Sequence, residues 1–310
     1  MSEAGLLGVP LSLLHQRLLG WYATEARSLP WREPGTSPWG VLVSEVMLQQ
    51  TPVVRVEPVW PQWMSRWPTP AALSASAPGD AIQAWGRLGY PRRALRLHAA
   101  AVAIVQRHGG EVPETQAELL ALPGVGTYTT AAVSAFAFGK RTTVVDTNVR
   151  RVLARMVSGA AQAAISLTRA DRDLAETLLP ESADTARTWS VAVMEMGALV
   201  CLARSPRCEV CPVRDLCAWQ QAGRPAYEGP PRGGQSWQGT DRQCRGAVLA
   251  VLRATSSPVT RGEVGAASSA GKDQLERCLD SLIQDGLVEP LSGYRFRLPG
   301  RQTDLDSVNT

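Results

Sequence analysis

The sequence predicts a mainly α-helical protein with a small α+β module at its C-terminal end, and three observations predict it. From residue 11 to about residue 200, apolar residues recur at helical spacing between short breaks, with hardly any alternating stretch. Residues 222–240 (AGRPAYEGPPRGGQSWQGT) are rich in Gly and Pro and read as a linker. Beyond them, 241–254, 260–266 and 271–285 suggest three short helices, and GLVEPLSGYRFRL reads as a hairpin turning at Ser292-Gly293. Three helices and a hairpin suggest a winged-helix-like module over 241–300, followed by a disordered tail over 301–310.

Taken in order, LSLLHQRLLGWYATEA spaces its Leu and Trp residues as one helix, and LPWREPGTSPWG is a loop. Later helical patterns are punctuated at Trp67-Pro68-Thr69-Pro70, Ala77-Pro78-Gly79-Asp80, His108-Gly109-Gly110 and Pro123-Gly124-Val125-Gly126. The chain has 310 residues, 45% of them hydrophobic, which allows two or three domains with real cores and excludes wholesale disorder. Charges or Pro interrupt every apolar run before membrane-spanning length, and no secretory signal is visible. A soluble monomer in the cytoplasm, associated with the nucleoid, is expected. A net charge of +4 is compatible with a polyanionic partner without proving one.

Four of the six cysteines, Cys201, Cys208, Cys211 and Cys217, crowd into seventeen positions. Clustered thiols in a cytosolic protein read as metal ligands, and thiolates are the usual ligands of iron–sulfur clusters. Tetrahedral zinc stays open on spacing alone, although zinc sites usually pair two close doublets and only Cys208 and Cys211 form one. Cys244 and Cys278 read as small buried hydrophobes.

Leu122 to Thr129 (LPGVGTYT) joins two helical stretches. Its alternate glycines suit a turn that offers backbone N–H groups of Gly124, Val125 and Gly126 to a phosphate, backed by the following helix N-terminus. An ordinary helix–helix connection is the alternative. Two carboxylates also stand out. Glu45 lies in the apolar run VLVSEVML, where burial would keep it protonated; the wet face of that helix is the other placement. Asp146, between Val144-Val145 and a helical stretch, is a favoured N-cap, and backbone donors there would hold it ionised.

These segments together resemble the adenine DNA glycosylase family of the endonuclease III superfamily, across roughly residues 11–221. The cysteine spacing is similar to that superfamily's cluster loop, and LPGVGTYT to its helix-hairpin-helix motif. SEVMLQQT at 44–51 looks like the helix bearing the catalytic Glu, and VVDTNVRRVL at 144–153 like the segment bearing the superfamily's Asp. The resemblance implies a two-lobed helix-hairpin-helix glycosylase fold over 1–221 with a 4Fe-4S cluster loop at 201–217. It also implies double-stranded DNA with a mispaired base as partner.

By the same resemblance, Glu45 protonates the departing base and Asp146 stabilises the sugar cation, with Tyr128 and Asn148 orienting them. Tyr128 stands where lyase relatives carry a Lys, which implies a monofunctional enzyme. Arg27, Trp31, Arg32, Leu48 and Glu195 would line the base pocket, and Gln50 and Tyr90 would enter the duplex. Arg204 and Arg207 of the cluster loop would meet phosphates, as would Arg92, Arg93 and Arg96 unless they form a solvated helix face.

Two features depart from the pattern. Ser190-Val191 stand where many relatives carry Asn-Gln. Typical members also carry a Nudix-like β-rich domain that recognises 8-oxoguanine, whereas here fewer than a hundred residues follow the catalytic region. The rival readings are a thymine or uracil mismatch glycosylase and a non-catalytic iron–sulfur DNA-binding regulator.

Overall fold

The computed structural model describes residues 11–229 and 237–301, so residues 302–310 of the expected tail and 230–236 of the expected linker lie outside the described residues. The chain falls into two compact units. One takes residues 11–41, 114–120 and 125–229; the other takes 42–113, 121–124 and 237–301. The boundaries cut across helix α2 and across the glycine turn, so neither unit is a single stretch of chain.

In the first unit, α1 (Leu11–Glu25), α10 (Thr147–Met156) and α12 (Ala183–Leu199) pack together. Leu14 and Leu18 of α1 meet Val152, Leu153 and Met156 of α10 and Trp189, Val193 and Met196 of α12 in one apolar cluster. The short helices α8 (Gln116–Leu120), α9 (Thr127–Phe136), α11 (Arg169–Thr177) and α13 (Ala218–Gln221) complete the unit. Side chains set the helix starts: Asp146 caps α10, and Thr168 with Asp171 forms a capping box on α11.

The second unit carries most of α2 (Pro38–Leu48), then α3 (Val53–Val56), α4 (Trp60–Arg66), α5 (Pro70–Ser74), α6 (Pro78–Trp85) and α7 (Arg92–His108). Pro near the start of α4, α5 and α6 fits the first helical turn, where the missing N–H costs nothing. Trp63 meets Trp67 and Trp85 edge-on at ring separations of 4.6 and 5.6 Å, the centre of a core completed by Leu73, Ile82, Leu97 and Ile104.

The C-terminal segment folds as expected into α14 (Asp241–Ala254), α15 (Arg261–Ala266) and α16 (Lys272–Gln284) with a hairpin of β2 (Glu289–Leu291) and β3 (Arg295–Arg297). It also forms a strand that periodicity missed. β1 (Val259–Thr260) pairs antiparallel with β3, giving the sheet order β1-β3-β2. Two residues are too few to show alternation. Cys244 and Cys278 are buried in this segment, as small hydrophobes would be.

The segment docks onto α6 and α7 of the same unit. Gly79 donates its N–H to the Pro299 carbonyl at 2.8 Å, Arg253 donates to the Ile82 carbonyl at 3.0 Å, and Gln83 returns a bond to the Arg253 carbonyl at 3.0 Å. Arg301 reaches Asp80 at 3.0 Å, and Arg92 of α7 pairs with Asp285 at 3.1 Å. Among the described residues no helix is long and apolar enough to cross a membrane.

A Cβ on Gly79 would lie 2.7 Å from the Pro299 oxygen and 2.9 Å from Leu298 Cβ, both poorly able to give way. Gly79→Ala should therefore lower stability by about 1–3 kcal/mol through overpacking. Urea unfolding of the full chain checks this, and a stability equal to or above that of the wild type would contradict the docking.

Candidate active site and cysteine loop

Helix α2 buries residues on every side, among them Trp39, Val41, Leu42, Val43, Val46 and Met47. Glu45 is 6% exposed within it, so of the two placements open on the sequence the buried one holds. Its ionised form is penalised by that burial. Past the half-buried Leu48, the chain turns at Gln50, which is exposed and adopts a left-handed backbone at φ 55°. Tyr90, 45% exposed, is left-handed at φ 46°; it is no core aromatic. Non-glycine residues adopt this region rarely and only where their surroundings enforce it.

Arg93 supplies the enforcement, which corrects the expectation that it faces phosphate. Its side chain is buried. Nη1 donates to the carbonyls of Val46 and Met47 at 2.9 Å and of Gln49 at 2.5 Å, while Nη2 donates to Thr51 Oγ1 at 2.8 Å and the Gly89 carbonyl at 3.1 Å. The C-terminal carbonyls of α2 and the loop before α7 are thus tied to one guanidinium, with Gln50 and Tyr90 on the two tied loops. Burial pulls Arg93 down to about 10, which leaves it a cation at neutral pH. Arg92, by contrast, is exposed and ion-paired to Asp285; Arg96 is exposed.

The glycine turn is served by both units and each half has its own cause. Gly124 has φ 78°, and a Cβ there would lie 2.6 Å from Arg96 Cβ, so the position excludes a side chain on two counts. Gly126 is extended and is the N-cap of α9 without any side-chain bond; Val125 is buried. Tyr128, in the first turn of α9, is half-buried against the small cluster of Ala132, Ala135 and Val144.

Asp146 accepts the Val149 N–H at 2.6 Å through one oxygen and Asn148 Nδ2 at 2.8 Å through the other. Asn148 Oδ1 accepts from Arg151 Nη2 at 2.8 Å, and Arg151 continues to the carbonyls of Gly197 and Cys201, both at 2.7 Å. A Cβ on Gly197 would lie 2.6 Å from Asn148 Cβ, so that glycine lets α10 approach α12. The N-cap expected for Asp146 is present, but its carboxyl is not held down. Burial raises it above the ordinary range, and the bonds from Val149 and Asn148 with the Arg151 charge offset this only partly.

Glu195, on α12, is 0% exposed and receives two arginines. Arg27 Nε and Nη2 reach its two oxygens at 2.7 and 2.8 Å, the Arg27 N–H adds a bond at 3.1 Å, and Arg32 Nη2 reaches Oε2 at 3.0 Å. Burial alone would raise this carboxyl, but the Arg27 and Arg32 bonds outweigh it and hold it at about 2. Arg32 Nη1 is buried and makes no hydrogen bond among the described residues. Trp31 is buried beside it in a single 3-10 turn (Pro30–Arg32). Ser190, one of the two departures from the family pattern, is buried and donates to the Ala186 carbonyl at 2.9 Å.

The four clustered cysteines line one cavity with Val200, Pro206 and Trp219. Thiolates are the usual protein ligands of iron–sulfur clusters. Arg155, 4% exposed, is built into the wall, donating to the carbonyls of Leu202 at 2.7 Å and Ala203 at 3.1 Å and lying 3.5 Å from Cys201 Sγ. Burial pushes the Cys211 thiol up to about 11, so a metal taking up this sulfur displaces its proton. Arg204 and Arg207 are exposed on the same loop.

Sequence reasoning missed Arg93, Arg151 and Arg155 as organisers of the site. The one available signal was an arginine at a core-facing helical position, as Arg155 is between Ala154 and Met156.

Residues 43–175 match the model of the HhH-GPD superfamily base excision DNA repair proteins, and 201–217 match the iron-sulfur binding domain of endonuclease III. The chain is 52% identical over 300 residues to an adenine DNA glycosylase of Mycobacterium tuberculosis, covering 97% of this chain and 98% of that protein. It is 40% identical over 215 residues to the human adenine DNA glycosylase, covering 66% of this chain and 39% of that protein. Among solved structures, a thermostable thymine-DNA glycosylase superposes with a TM-score of 0.61 at 28% identity, over 68% of this chain and 97% of that one. A trapped endonuclease III–DNA covalent intermediate gives 0.59 at 22% identity, over 69% and 99%, a likeness of fold. The fold is the helix-hairpin-helix one, and the cysteine loop binds a 4Fe-4S cluster.

Because Glu195 titrates near 2 in the fold and near 4.5 when unfolded, its contribution to stability is complete above about 4.5. It is lost as pH falls from there toward 2. Glu195→Gln should remove a few kcal/mol at neutral pH and flatten the acid side of the stability curve in that window. Denaturant unfolding against pH measures this; identical acid slopes for variant and wild type would contradict the ion-pair account.

Proposed function

The chain belongs to the adenine DNA glycosylase family, and from that premise we propose that it is a monofunctional glycosylase excising adenine mispaired with 8-oxoguanine or guanine in double-stranded DNA. It binds DNA and removes adenine in base excision repair. The observation that carries the proposed chemistry is the placement of Glu45, a carboxyl side chain 6% exposed within an apolar helix.

In the proposed reaction the extruded adenine is protonated by Glu45 at N7, and the C1′–N9 bond breaks with its electron pair passing to the base. Positive charge develops on the sugar, where the Asp146 carboxylate stabilises or transiently captures it. Water then adds at C1′ and leaves an abasic site. Asn148 bonds to one oxygen of Asp146, and Tyr128 on α9 packs beside Val144, two residues ahead of Asp146. The raised carboxyl of Asp146 places the acid limb of the excision rate above the ordinary aspartate value of 3.8. Tyr128 offers no amine for a Schiff base, in keeping with a glycosylase lacking lyase activity.

Arg27, Trp31, Arg32, Leu48 and Glu195 are assigned to the base pocket. Support comes from the rigid Arg27–Glu195–Arg32 cluster and the buried Arg32 Nη1, a donor with capacity for a base acceptor. Gln50 and Tyr90 are assigned to the opened stack, since both are exposed on loops held in left-handed geometry. The turn of Gly124, Val125 and Gly126 is assigned to phosphate, with Arg204 and Arg207. The 4Fe-4S cluster, held by Cys201, Cys208, Cys211 and Cys217, fixes the loop that presents those arginines. Residues 1–221 form the glycosylase domain in this reading, 222–240 the linker and 241–300 the winged-helix-like module, in a monomer acting on the nucleoid in the cytoplasm.

Single-turnover excision on duplexes with adenine opposite 8-oxoguanine, guanine, cytosine or thymine tests the substrate, with thymine and uracil opposite guanine as further targets. Adenine release should be fastest opposite 8-oxoguanine. Glu45→Gln should lower it by about 100-fold or more with duplex affinity kept, and borohydride should trap no adduct. Near-normal excision by Glu45→Gln, or pyrimidine release in place of adenine, would overturn the proposal.

A further inference from the structure

Most arginines of the module that stands where a Nudix-like domain is usual are engaged by carboxylates or by backbone carbonyls. Arg245 pairs with Asp285 at 2.5 Å, Arg277 with Asp241 at 3.4 Å, Arg297 with Glu289 at 2.8 Å, and Arg261 with Glu276. Arg253 is buried against the Ile82 carbonyl and Arg301 is held by Asp80. Arg242, in the first turn of α14, differs. It is exposed and has no carboxylate partner among the described residues. Its guanidinium lies over the Tyr90 ring at 5.2 Å and over the Trp237 ring at 5.6 Å.

Both rings are open to solvent, Tyr90 at 45% and Trp237 at 54%. A cation between two exposed aromatic faces gains less than the same stack would gain on desolvation. Exposed aromatic faces beside an unpaired arginine are also the surface chemistry that stacks nucleobases and meets phosphate. α6 and α7 hold the segment at Arg253, Asp285, Pro299 and Arg301, and the Arg242 guanidinium itself meets the Tyr90 ring. The stack is therefore built onto the same loop, 86–91, that carries Tyr90.

We propose that Trp237 and Arg242 of the C-terminal segment, stacked with Tyr90, form a second DNA-contacting platform that grips a nucleobase and an adjacent phosphate beside the point Tyr90 enters. The platform rests on the reading of Tyr90 as a duplex-entering residue. It gives the C-terminal module a role in holding the opened duplex rather than in capping α6 alone.

The test uses the full-length, cluster-loaded protein and an uncleavable 2′-fluoro-adenosine duplex opposite guanine or 8-oxoguanine. Affinity is measured across a salt series for wild type, Trp237→Ala, Arg242→Ala, Tyr90→Ala and Arg277→Ala, with melting temperature as the folding control. Trp237→Ala should weaken binding about tenfold with the salt slope unchanged. Arg242→Ala should weaken it by about tenfold and reduce the slope by about one. Arg277→Ala, whose exposed arginine belongs to an internal pair, should stay within about twofold. If Trp237→Ala and Arg242→Ala bind like wild type while Tyr90→Ala is impaired, the platform is overturned and the reading of Tyr90 stands. If they weaken binding while Tyr90→Ala does not, the platform as a stack on Tyr90 is overturned and Tyr90 loses its assigned role. If none of the three weakens binding, both fall.

Discussion

The guanidinium of Arg151 is the joint on which the first unit turns. It reaches the carbonyls of Gly197 and Cys201 and the side chain of Asn148, and Asn148 in turn holds Asp146. One cation thus connects the cap of α10, the end of α12 and the first cysteine of the iron–sulfur loop. A buried guanidinium needs several acceptors to offset its desolvation. Here backbone carbonyls at a helix end, which carry partial negative charge, supply them. Arg155, one turn further along α10, repeats the device against Leu202 and Ala203. The cluster loop is anchored by protein donors as well as by its metal, which keeps Arg204 and Arg207 at defined places on a short irregular segment.

The second unit uses the same physics to hold strain. Left-handed backbone at Gln50 and Tyr90 costs free energy that local sequence does not return. Arg93 offsets it by tying both loops to one buried charge, where releasing either loop would leave carbonyls without a donor. Side chains on such loops are held on a single fixed backbone conformation. Glu195 follows the complementary logic with the sign reversed: a buried anion is balanced by two arginines, and the surrounding helix is fixed by the pairing.

The C-terminal segment joins its unit through a small set of specific contacts. It engages α6 through a glycine with no room for a side chain, through backbone bonds and through the Arg301–Asp80 pair, and α7 through the Arg92–Asp285 pair. Its position against loop 86–91 follows from those contacts, and with it the exposure of Trp237 and Arg242 beside Tyr90.

By itself the sequence determined whatever depends on neighbours along the chain. The cysteine spacing named the metal loop, Asp146 named the start of α10, and the glycines at 124 and 126 named a turn between two helices, because capping and turn geometry are local. Helices and the hairpin of the C-terminal segment were legible from periodicity; β1 was not, since two residues have no period. Only the tertiary structure decided which of Arg92, Arg93 and Arg96 is buried, since three cations within five positions of one helix are alike until a neighbour covers one of them. The same holds for Glu195, whose partners Arg27 and Arg32 lie 168 and 163 residues away in sequence, and for the burial of Glu45. Desolvation and ion pairing act through space, and their sign at a given residue is set by what the fold packs against it.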